Sequence, residues 1–272
     1  MNDSPNLCDR RALLRHRKRT RRDALFLHEV AADEVQDRLS MVKREFKSRA
    51  IVTGHPDFWS ELFNDANIVA DDDILQLEEG AHDLVVHAMA LHWANDPVGQ
   101  LIQCRRALKP DGLFLAVLPS GQTLNELRSV LTEAEVSIRG GLSPRVMPMA
   151  DIRDLGGLLQ RAGFALPVAD LTPLAVEYDD LLALGRDLRA MGEGNALGGR
   201  QRSLTRRDLF ALAHQIYAQR FPGDQKALRA TFELVTLTGW APASSQPQPL
   251  RPGSAQARLA DALKTDETRL PD

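Results

Sequence analysis

Residues 83–91 read Asp-Leu-Val-Val-His-Ala-Met-Ala-Leu, and this nearly unbroken apolar run decides the fold that we expect. A strand with so few polar positions is typical of a sheet covered by helices on both faces. Pro97 suits the first turn of a helix that runs to Leu108, and residues 113–118 (LFLAVL) form another apolar strand. Strand, helix and strand with short connections predict an α/β fold with a parallel sheet.

The same pattern extends along the chain on both sides of this unit. Apolar spacing predicts helices over residues 24–45, 151–162, 179–191 and 204–220. Short apolar runs predict strands over 50–54, 67–70, 164–170, 174–178 and 231–238. Residues 109–112 (Lys-Pro-Asp-Gly) predict a turn. We therefore expect a core domain over 24–242, with a helical insertion at about 179–222, and a linker with a short helix over 243–272.

The composition is that of an ordinary globular protein and excludes several classes. The chain has 272 residues and a formal net charge of −3, which argues against a nucleic-acid partner for the protein as a whole. Its longest apolar run has six residues, whereas a membrane-spanning helix needs about 20. With no secretory signal in the sequence, we expect a cytoplasmic protein in a bacterium, or one of the mitochondrial matrix in a eukaryote.

Basic residues are concentrated at the amino terminus. Between Arg10 and Arg22, eight of the thirteen residues are Arg or Lys. Such a block can contact phosphate or an acidic partner, and it also has the composition of a transit peptide, although Asp9 and Asp23 weaken that interpretation. We expect residues 1–23 to form a solvated basic arm that leads into the first helix.

Nine short motifs in a fixed order carry a family resemblance that covers nearly the whole chain. They are residues 8–10 (CDR), 83–86 (DLVV), 91–96 (LHWAND), 108–113 (LKPDGL), 140–145 (GGLSPR), 186–192 (RDLRAMG), 195–197 (NAL), 238–242 (TGWAP) and 251–254 (RPGS). The chain resembles class I S-adenosylmethionine-dependent methyltransferases, above all the group around the mitochondrial complex I assembly factor 5 protein and its bacterial relatives. The malonyl-carrier-protein methyltransferase of biotin synthesis is a more distant likeness.

The resemblance implies a Rossmann-like sheet of seven strands with S-adenosylmethionine at the carboxyl ends of the strands. In this family, a glycine-rich turn follows the first strand and an acid holds the cofactor further on. Gly54 stands at the first position, and Asp71, with Asp72 beside it, matches the adenine-side acid. His87 and Trp93 are expected at the cofactor as well. The alternative interpretation of residues 71–73 is a solvated turn.

The sequence departs from the family pattern around the first strand. Residues 52–58 (Val-Thr-Gly-His-Pro-Asp-Phe) stand where the family has Asp-Leu-Gly-x-Gly-x-Gly, so one glycine of three is kept. Gly54 and Asp71 are 17 residues apart, whereas two helices, a strand and their turns need about 35–40. We therefore expect one βα unit to be missing and the binding of the cofactor to be in question.

Candidate catalytic residues are few. His92 and Asp96 are the expected candidates for a general base, and His87 is expected to pack in or beside the sheet. Three imidazoles five residues apart along one strand do not converge, so no metal site is predicted. Met191-Gly192 and Asn195 either cover the pocket or form a turn between two helices.

Two functions remain open at this stage. The first is a methyltransferase that acts on an unknown acceptor, with a protein or a carrier-bound group as the partner. The alternative is a non-catalytic assembly or binding protein, or an arginine-hydroxylase-like assembly factor, that has lost the cofactor. The motifs from Asp71 onward favour the first function, and the altered glycine turn favours the second.

Overall fold

A computed structural model describes residues 6–247, 260, 261 and 265. Within these residues the chain forms a six-stranded sheet of order β2-β1-β3-β4-β6-β5. Strands β1 to β4 run parallel, and β6 is antiparallel to both of its neighbours. The strands are β1 (Arg49–Thr53), β2 (Asn67–Ala70), β3 (His82–Ala88), β4 (Leu108–Pro119), β5 (Ala165–Tyr178) and β6 (Leu228–Trp240). The predicted α/β fold is confirmed.

Helices cover both faces of this sheet. They are α1 (Arg10–Arg17), α2 (Phe26–Met41), α3 (Pro56–Leu62), α4 (Pro97–Ala107), α5 (Asn125–Arg139), α6 (Ile152–Arg161), α7 (Leu181–Ala190) and α8 (Arg207–Arg220). Successive residues of a strand point to opposite faces, so Val86 packs in the core with α2, α5 and α8, and Val85 packs in the core with α4 and α6. Both are fully buried, as the apolar run at 83–91 predicts.

The connection between β1 and β2 is as short as the residue spacing indicates. It holds one seven-residue helix, α3, and β2 pairs directly with β1 in parallel. The Asp71 loop therefore follows the strand next to β1. This arrangement brings Asp71 close to Gly54 at one edge of the sheet.

Two local features differ from the sequence expectations. Helix α5 was not predicted, although Leu127, Val130, Leu131 and Ala134 recur at helical spacing and are buried. The turn predicted at 109–112 is a bulge inside β4, where the pairing with β3 changes register between His82 and Leu84.

The expected solvated arm at the amino terminus is wrong for residues 8–17. Asp9 caps α1 by accepting a hydrogen bond from the Ala12 amide, and Ala12 and Leu13 are buried. These side chains form a small core with others from distant parts of the chain: Cys8, Trp93, Met147, Ala196 and Leu197. The Arg-rich sequence hides this apolar side because the cations occupy the other faces of the helix.

The chain divides into two compact units, Met1–Pro242 and Ala243–Asp272. In the second unit, Ala260 and Asp261 are helical, and the rest of the short helix predicted within 243–272 lies outside the described residues. Among the residues that the structure describes, no helix is both long and apolar enough to cross a membrane.

Candidate functional site

The carboxyl ends of β1, β2 and β3 meet at one edge of the sheet, which is where open α/β sheets bind ligands. At the end of β3, Met89 has a positive φ of 51° and turns the chain into a short 3₁₀ segment, Leu91–Trp93. Helix α1 and residues 191–200 lie over this edge. A Cβ added to Gly192 would lie 3.2 Å from Cα of Arg17 and 3.4 Å from Cε1 of His55.

Asp71 is the charged centre of one half of this edge. Its carboxylate is 3 % exposed and accepts hydrogen bonds from Arg17 at 2.8 and 2.9 Å and from Arg10 at 3.0 Å. Burial alone would raise the pKa of Asp71, but the Arg17 and Arg10 guanidinium groups outweigh it and hold this pKa well below its usual range. Arg10 also donates to the exposed carboxylate of Asp72 at 2.8 Å.

His87 lies inside the sheet and reaches the Asp71 loop through Gln100. The His87 Nε2 atom is 2.9 Å from Oε1 of Gln100, whose amide group donates to the backbone carbonyls of Asp71 and Asp72. Burial lowers the pKa of His87 to about 4, so the ring is neutral at pH 7. His87 thus fixes the loop instead of facing a ligand directly.

Gly54 and Asp71 leave no space for the cofactor that the family resemblance implies. A Cβ added to Gly54 would lie 2.1 Å from Cζ of Arg17, so the guanidinium group rests on the glycine backbone. A nucleoside cofactor needs that close approach to the backbone, and the adenine-side acid must be free to accept a hydrogen bond from it. Arg17 occupies the space beside the Gly54 backbone, and Arg17 and Arg10 together occupy the Asp71 carboxylate. In this conformation the residues do not fit S-adenosylmethionine.

A second charged group, Glu193, lies where residues 191–195 meet the end of β3. Its carboxylate accepts a hydrogen bond from Nε1 of Trp93 at 2.8 Å and lies 3.4 Å from Nε2 of His92. Burial would raise the pKa of Glu193, but His92, Arg17 and Trp93 lower it to about 2. An ionised Glu193 only accepts hydrogen bonds, so Nε2 of His92 carries the proton that faces it.

His55 and His28 complete the interior of this edge. Their rings are 4.4 Å apart, and Nδ1 of His28 accepts a hydrogen bond from Trp59 at 3.1 Å. Burial lowers the pKa of both rings, that of His55 to about 4. Both imidazoles are therefore neutral at pH 7.

A cavity of about 330 Å³ opens beside Glu193, between the sheet edge and helices α5, α7 and α8. Its wall is mostly apolar, with side chains from all three helices and from residues 146–149, among them Leu124, Leu127, Leu131, Met147, Leu181 and Phe210. His92, Trp93, Glu193 and Asn195 are among its polar lining residues. A cavity of this size with a few polar groups is typical of a small-ligand site.

The motif at residues 140–145 shapes one wall of this cavity. Glu135 is 2 % exposed and accepts hydrogen bonds from Arg145 and from the amide and hydroxyl of Ser143. The Arg145 guanidinium lowers the pKa of Glu135 to about 2. This buried pair holds the loop so that Arg145 and Met147 line the cavity.

The predicted site residues fall into three groups. Gly54, Asp71 and Asp72 lie at the Arg10–Arg17 end, with His87 behind them through Gln100, and His92 and Trp93 lie at the cavity. Asp96 caps α4 by accepting from the Gly99 amide at 2.8 Å, and it is not among the cavity-lining residues.

Sequence reasoning missed three residues of the site: the buried Arg17 and His55, and the half-buried Glu193. Glu193 directly follows the motif at 186–192, and His55 directly follows Gly54. Their positions directly after recognised motifs were the signal that could have identified these two residues. No such signal marked Arg17, because it lies within a block of other cations.

Comparison with known proteins gives a consistent assignment. Residues 26–116 match the family model described as a methyltransferase domain. The chain is 38 % identical over 197 residues to the arginine-hydroxylase NDUFAF5, mitochondrial, of Danio rerio, a match that covers 72 % of this chain and 61 % of that protein. The human protein of the same name is 35 % identical over 205 residues, covering 75 % and 59 %.

A bacterial relative has a different named activity. The malonyl-[acyl-carrier protein] O-methyltransferase of Laribacter hongkongensis is 37 % identical over 179 residues, covering 66 % of this chain and 58 % of that protein. The chain thus spans about three fifths of the length of each of these three relatives.

A solved structure supports the fold alone. A Bacillus halodurans C-125 protein, named as a candidate methyltransferase, superposes with a TM-score of 0.50 at 13 % identity, covering 76 % of this chain and 98 % of that one. Residues 26–116 thus match a methyltransferase domain, and the chain has homologues among proteins named arginine-hydroxylase NDUFAF5 and malonyl-[acyl-carrier protein] O-methyltransferase.

Proposed function

We propose that this chain is an enzyme that transfers a methyl group to an acceptor held in the cavity beside His92 and Glu193, and that the acceptor belongs to a protein or is carried by one. The observation that carries the proposal is the cavity itself, which is apolar along its wall and has the His92–Glu193 pair among its lining residues. Its wall suits an acyl or aliphatic stem, and its polar groups suit the reacting atom.

His92 is proposed as the group that takes a proton from the acceptor. Glu193 holds the Nε2 side of the ring, whereas Nδ1 has no hydrogen-bond partner among the described residues. A neutral imidazole with one nitrogen held by a carboxylate is suited to accept a proton at the other. Trp93, which donates to the same carboxylate, would keep Glu193 in place while the ring becomes charged.

S-adenosylmethionine is the methyl donor that the family implies. We propose that it enters this site only after Arg17 leaves Gly54. The support is the contact of Arg17 with both Gly54 and Asp71, which fills the position where the family keeps glycine backbone and a free acid.

A second candidate is modification of an arginine side chain, as the name of the NDUFAF5 relatives states for those proteins. The observation that favours it is Glu193, since an ionised carboxylate at an apolar cavity can bind a guanidinium group.

The test is a transfer assay with methyl-labelled S-adenosylmethionine, using malonyl-loaded carrier protein and arginine-containing peptides as acceptors. We expect labelled product from the unchanged chain. With the arginine-containing peptides, whose acceptor nitrogen loses a proton on methylation, we expect at least about a hundredfold less product from His92→Ala, because a positioned general base contributes about 10²–10⁴ in rate. A malonyl carboxylate carries no proton, so its methylation should depend less on His92. His214→Ala, which changes a histidine outside the cavity, is the matched control. Mass spectrometry locates the methyl group on the peptide or on the carrier-bound acyl group, and no labelled product with either acceptor contradicts the proposal.

The role of Arg17 is tested by calorimetric titration with S-adenosylhomocysteine. We expect Arg17→Ala to bind this ligand more tightly than the unchanged chain does. Tighter binding by the unchanged chain would instead make Arg17 a direct contact of the cofactor.

A further inference from the structure

A groove of about 1170 Å³ lies outside the site described above, between the outer face of α1 and residues 198–202. We call it the arginine groove. Its lining includes six cationic side chains: Arg10, Arg11, Arg15, Lys18, Arg200 and Arg202. Asp9 and Asp73 are the two carboxylates that line it, so the groove is strongly positive although the chain has a net charge of −3. The groove and the cavity share no lining residue.

The two walls of the arginine groove are tied to each other. The Asp9 amide donates to the Ala196 carbonyl at 2.7 Å, and the Gly198 amide donates to the Leu7 carbonyl at 2.8 Å. Arg200 donates to the carboxylate of Asp9 at 2.8 Å. These bonds hold α1 against residues 196–200, so the cations of α1 lie on a fixed surface and need not be ordered when a partner binds.

Three of the six cations remain available to a partner. Arg10 is bound to Asp71 and Asp72, Arg200 is bound to Asp9, and Arg202 also lies near Asp9. Within the part of the chain that the structure describes, Arg11, Arg15 and Lys18 are exposed and form no ion pair. Like charges at this spacing repel one another along a helix, and an acidic partner would relieve the repulsion.

The spacing of these three residues defines the shape of what they recognise. Arg11, Arg15 and Lys18 stand at positions i, i+4 and i+7, so they share one face of α1 and span about 10 Å at the helical rise of 1.5 Å per residue. Leu14 lies on the same surface and is 45 % exposed. A row of cations around one apolar side chain matches a helix that carries acids at the same interval and an apolar residue between them.

The size and lining of the groove favour an acidic polypeptide over a phosphorylated metabolite or a nucleic acid. Its volume exceeds the roughly 300–1,000 Å³ of small-ligand pockets, which favours a polypeptide segment over a phosphorylated metabolite. No aromatic side chain is among its lining residues, whereas single-stranded nucleic acid is bound by aromatic stacking as well as by cations.

We propose that the arginine groove is the docking surface for an acidic helical segment of a partner protein, with Asp or Glu at i, i+4 and i+7 against Arg11, Arg15 and Lys18. The groove is independent of the reaction proposed for the cavity. Docking here would hold a partner next to residues 195–200, which connect Gly198 in the groove lining to Asn195 in the cavity lining.

The experiment is fluorescence anisotropy with the full chain and a labelled, helix-stapled peptide that has Glu at i, i+4 and i+7 around one Leu. A stapled peptide of the same composition, with the Glu residues distributed around the helix, is the reference probe. We expect the first peptide to bind at least about tenfold more tightly, and its affinity to fall as salt rises.

Charge reversal locates the binding surface. The triple variant Arg11→Glu, Arg15→Glu, Lys18→Glu is expected to lose at least about tenfold in affinity. The matched control reverses three exposed cations elsewhere, Lys43, Lys47 and Arg153, and should bind as the unchanged chain does. If the triple variant does not fold, as judged by its thermal unfolding transition, Lys18→Glu alone replaces it.

Three outcomes would overturn the proposal. They are equal binding of both peptides, equal loss of affinity in the control variant, and tighter binding of a single-stranded RNA oligomer than of the acidic peptide. The last two would describe a general polyanion surface or a nucleic-acid site. None of these outcomes bears on methyl transfer, so failure here leaves the proposed reaction standing.

Discussion

The two ends of the site differ in what neutralises their carboxylate and in how much space they leave for a ligand. Around Asp71, a buried carboxylate is neutralised by two guanidinium groups and no space remains. Around Glu193, a carboxylate that is 18 % exposed contacts an imidazole and an indole, and a cavity of about 330 Å³ lies beside it. The Asp71 end is therefore closed by its ion pairs, while the Glu193 end keeps an open pocket.

The largest effect is expected at the closed end, from Asp71→Ala. This change leaves the buried Arg17 guanidinium without the Asp71 carboxylate and leaves Arg10 with only the exposed Asp72, and breaking a buried ion pair in this way costs about 3–5 kcal/mol of unfolding free energy. Chemical denaturation measures the loss. Asp72→Ala, at a 62 % exposed side chain, is the control and should cost less than about 1 kcal/mol. Equal losses in the two variants would show that Asp71 is not the centre of the cluster.

Gly54→Ala probes the same end with an added methyl group. The new Cβ would lie 2.1 Å from Cζ of Arg17, so the guanidinium group must move. Overpacking of this kind costs about 1–3 kcal/mol. In an Arg17→Ala background the same substitution should cost little, because the obstructing group is gone. A double-mutant cycle with no coupling between the two positions would contradict the contact.

The buried histidines predict how stability changes with pH. The pKa values of His55 and His87 are each lowered from 6.5 to about 4, so the unfolded chain binds more protons than the folded one between these values. Their contribution is fully present above pH 6.5 and is lost as the pH falls toward 4. Each histidine removes about 1.4 kcal/mol per pH unit below pH 6.

Replacing one of these rings isolates its share of the pH dependence. His87→Gln is expected to reduce the slope of unfolding free energy against pH by about 1.4 kcal/mol per unit between pH 6 and pH 4. The slope is the measurement, whatever the variant's stability at pH 7. An unchanged slope would mean that His87 is protonated in the folded chain.

The smallest effect is expected from Asp96→Ala. Asp96 caps α4, and loss of such a cap costs about 1 kcal/mol. Because Asp96 is not a lining residue of the cavity, the variant should keep its rate of product formation when measured well below its unfolding temperature. A loss of activity comparable to that of His92→Ala would return Asp96 to the catalytic candidates.

Sequence patterns were sufficient to predict an element where its own residues indicate how it is packed. The strands at 83–91 and 113–118 are apolar because helices cover both of their faces, and the 17-residue interval before Asp71 left space for only one short helix. The basic block at 10–22 misled, since composition reports the many exposed cations and not the three residues, Ala12, Leu13 and Arg17, that are buried.

Pairs of distant residues could not be predicted in this way. Arg17 and Asp71 are 54 residues apart, and Trp93 and Glu193 are 100 apart. Their partnership depends on which strand lies beside β1 and on where residues 191–195 cross the sheet edge. The local sequence around those side chains predicts neither of these two facts.

The position of α1 also bears on the order of folding. This helix is synthesised before its partners at Asp71, Ala196 and Leu197, which emerge from the ribosome much later. Contacts between segments so far apart in sequence form slowly, because a long loop must close before they stabilise the chain. We therefore expect the sheet to assemble before α1 docks, so that closure of the Asp71 end is among the last steps by which the chain reaches its final structure.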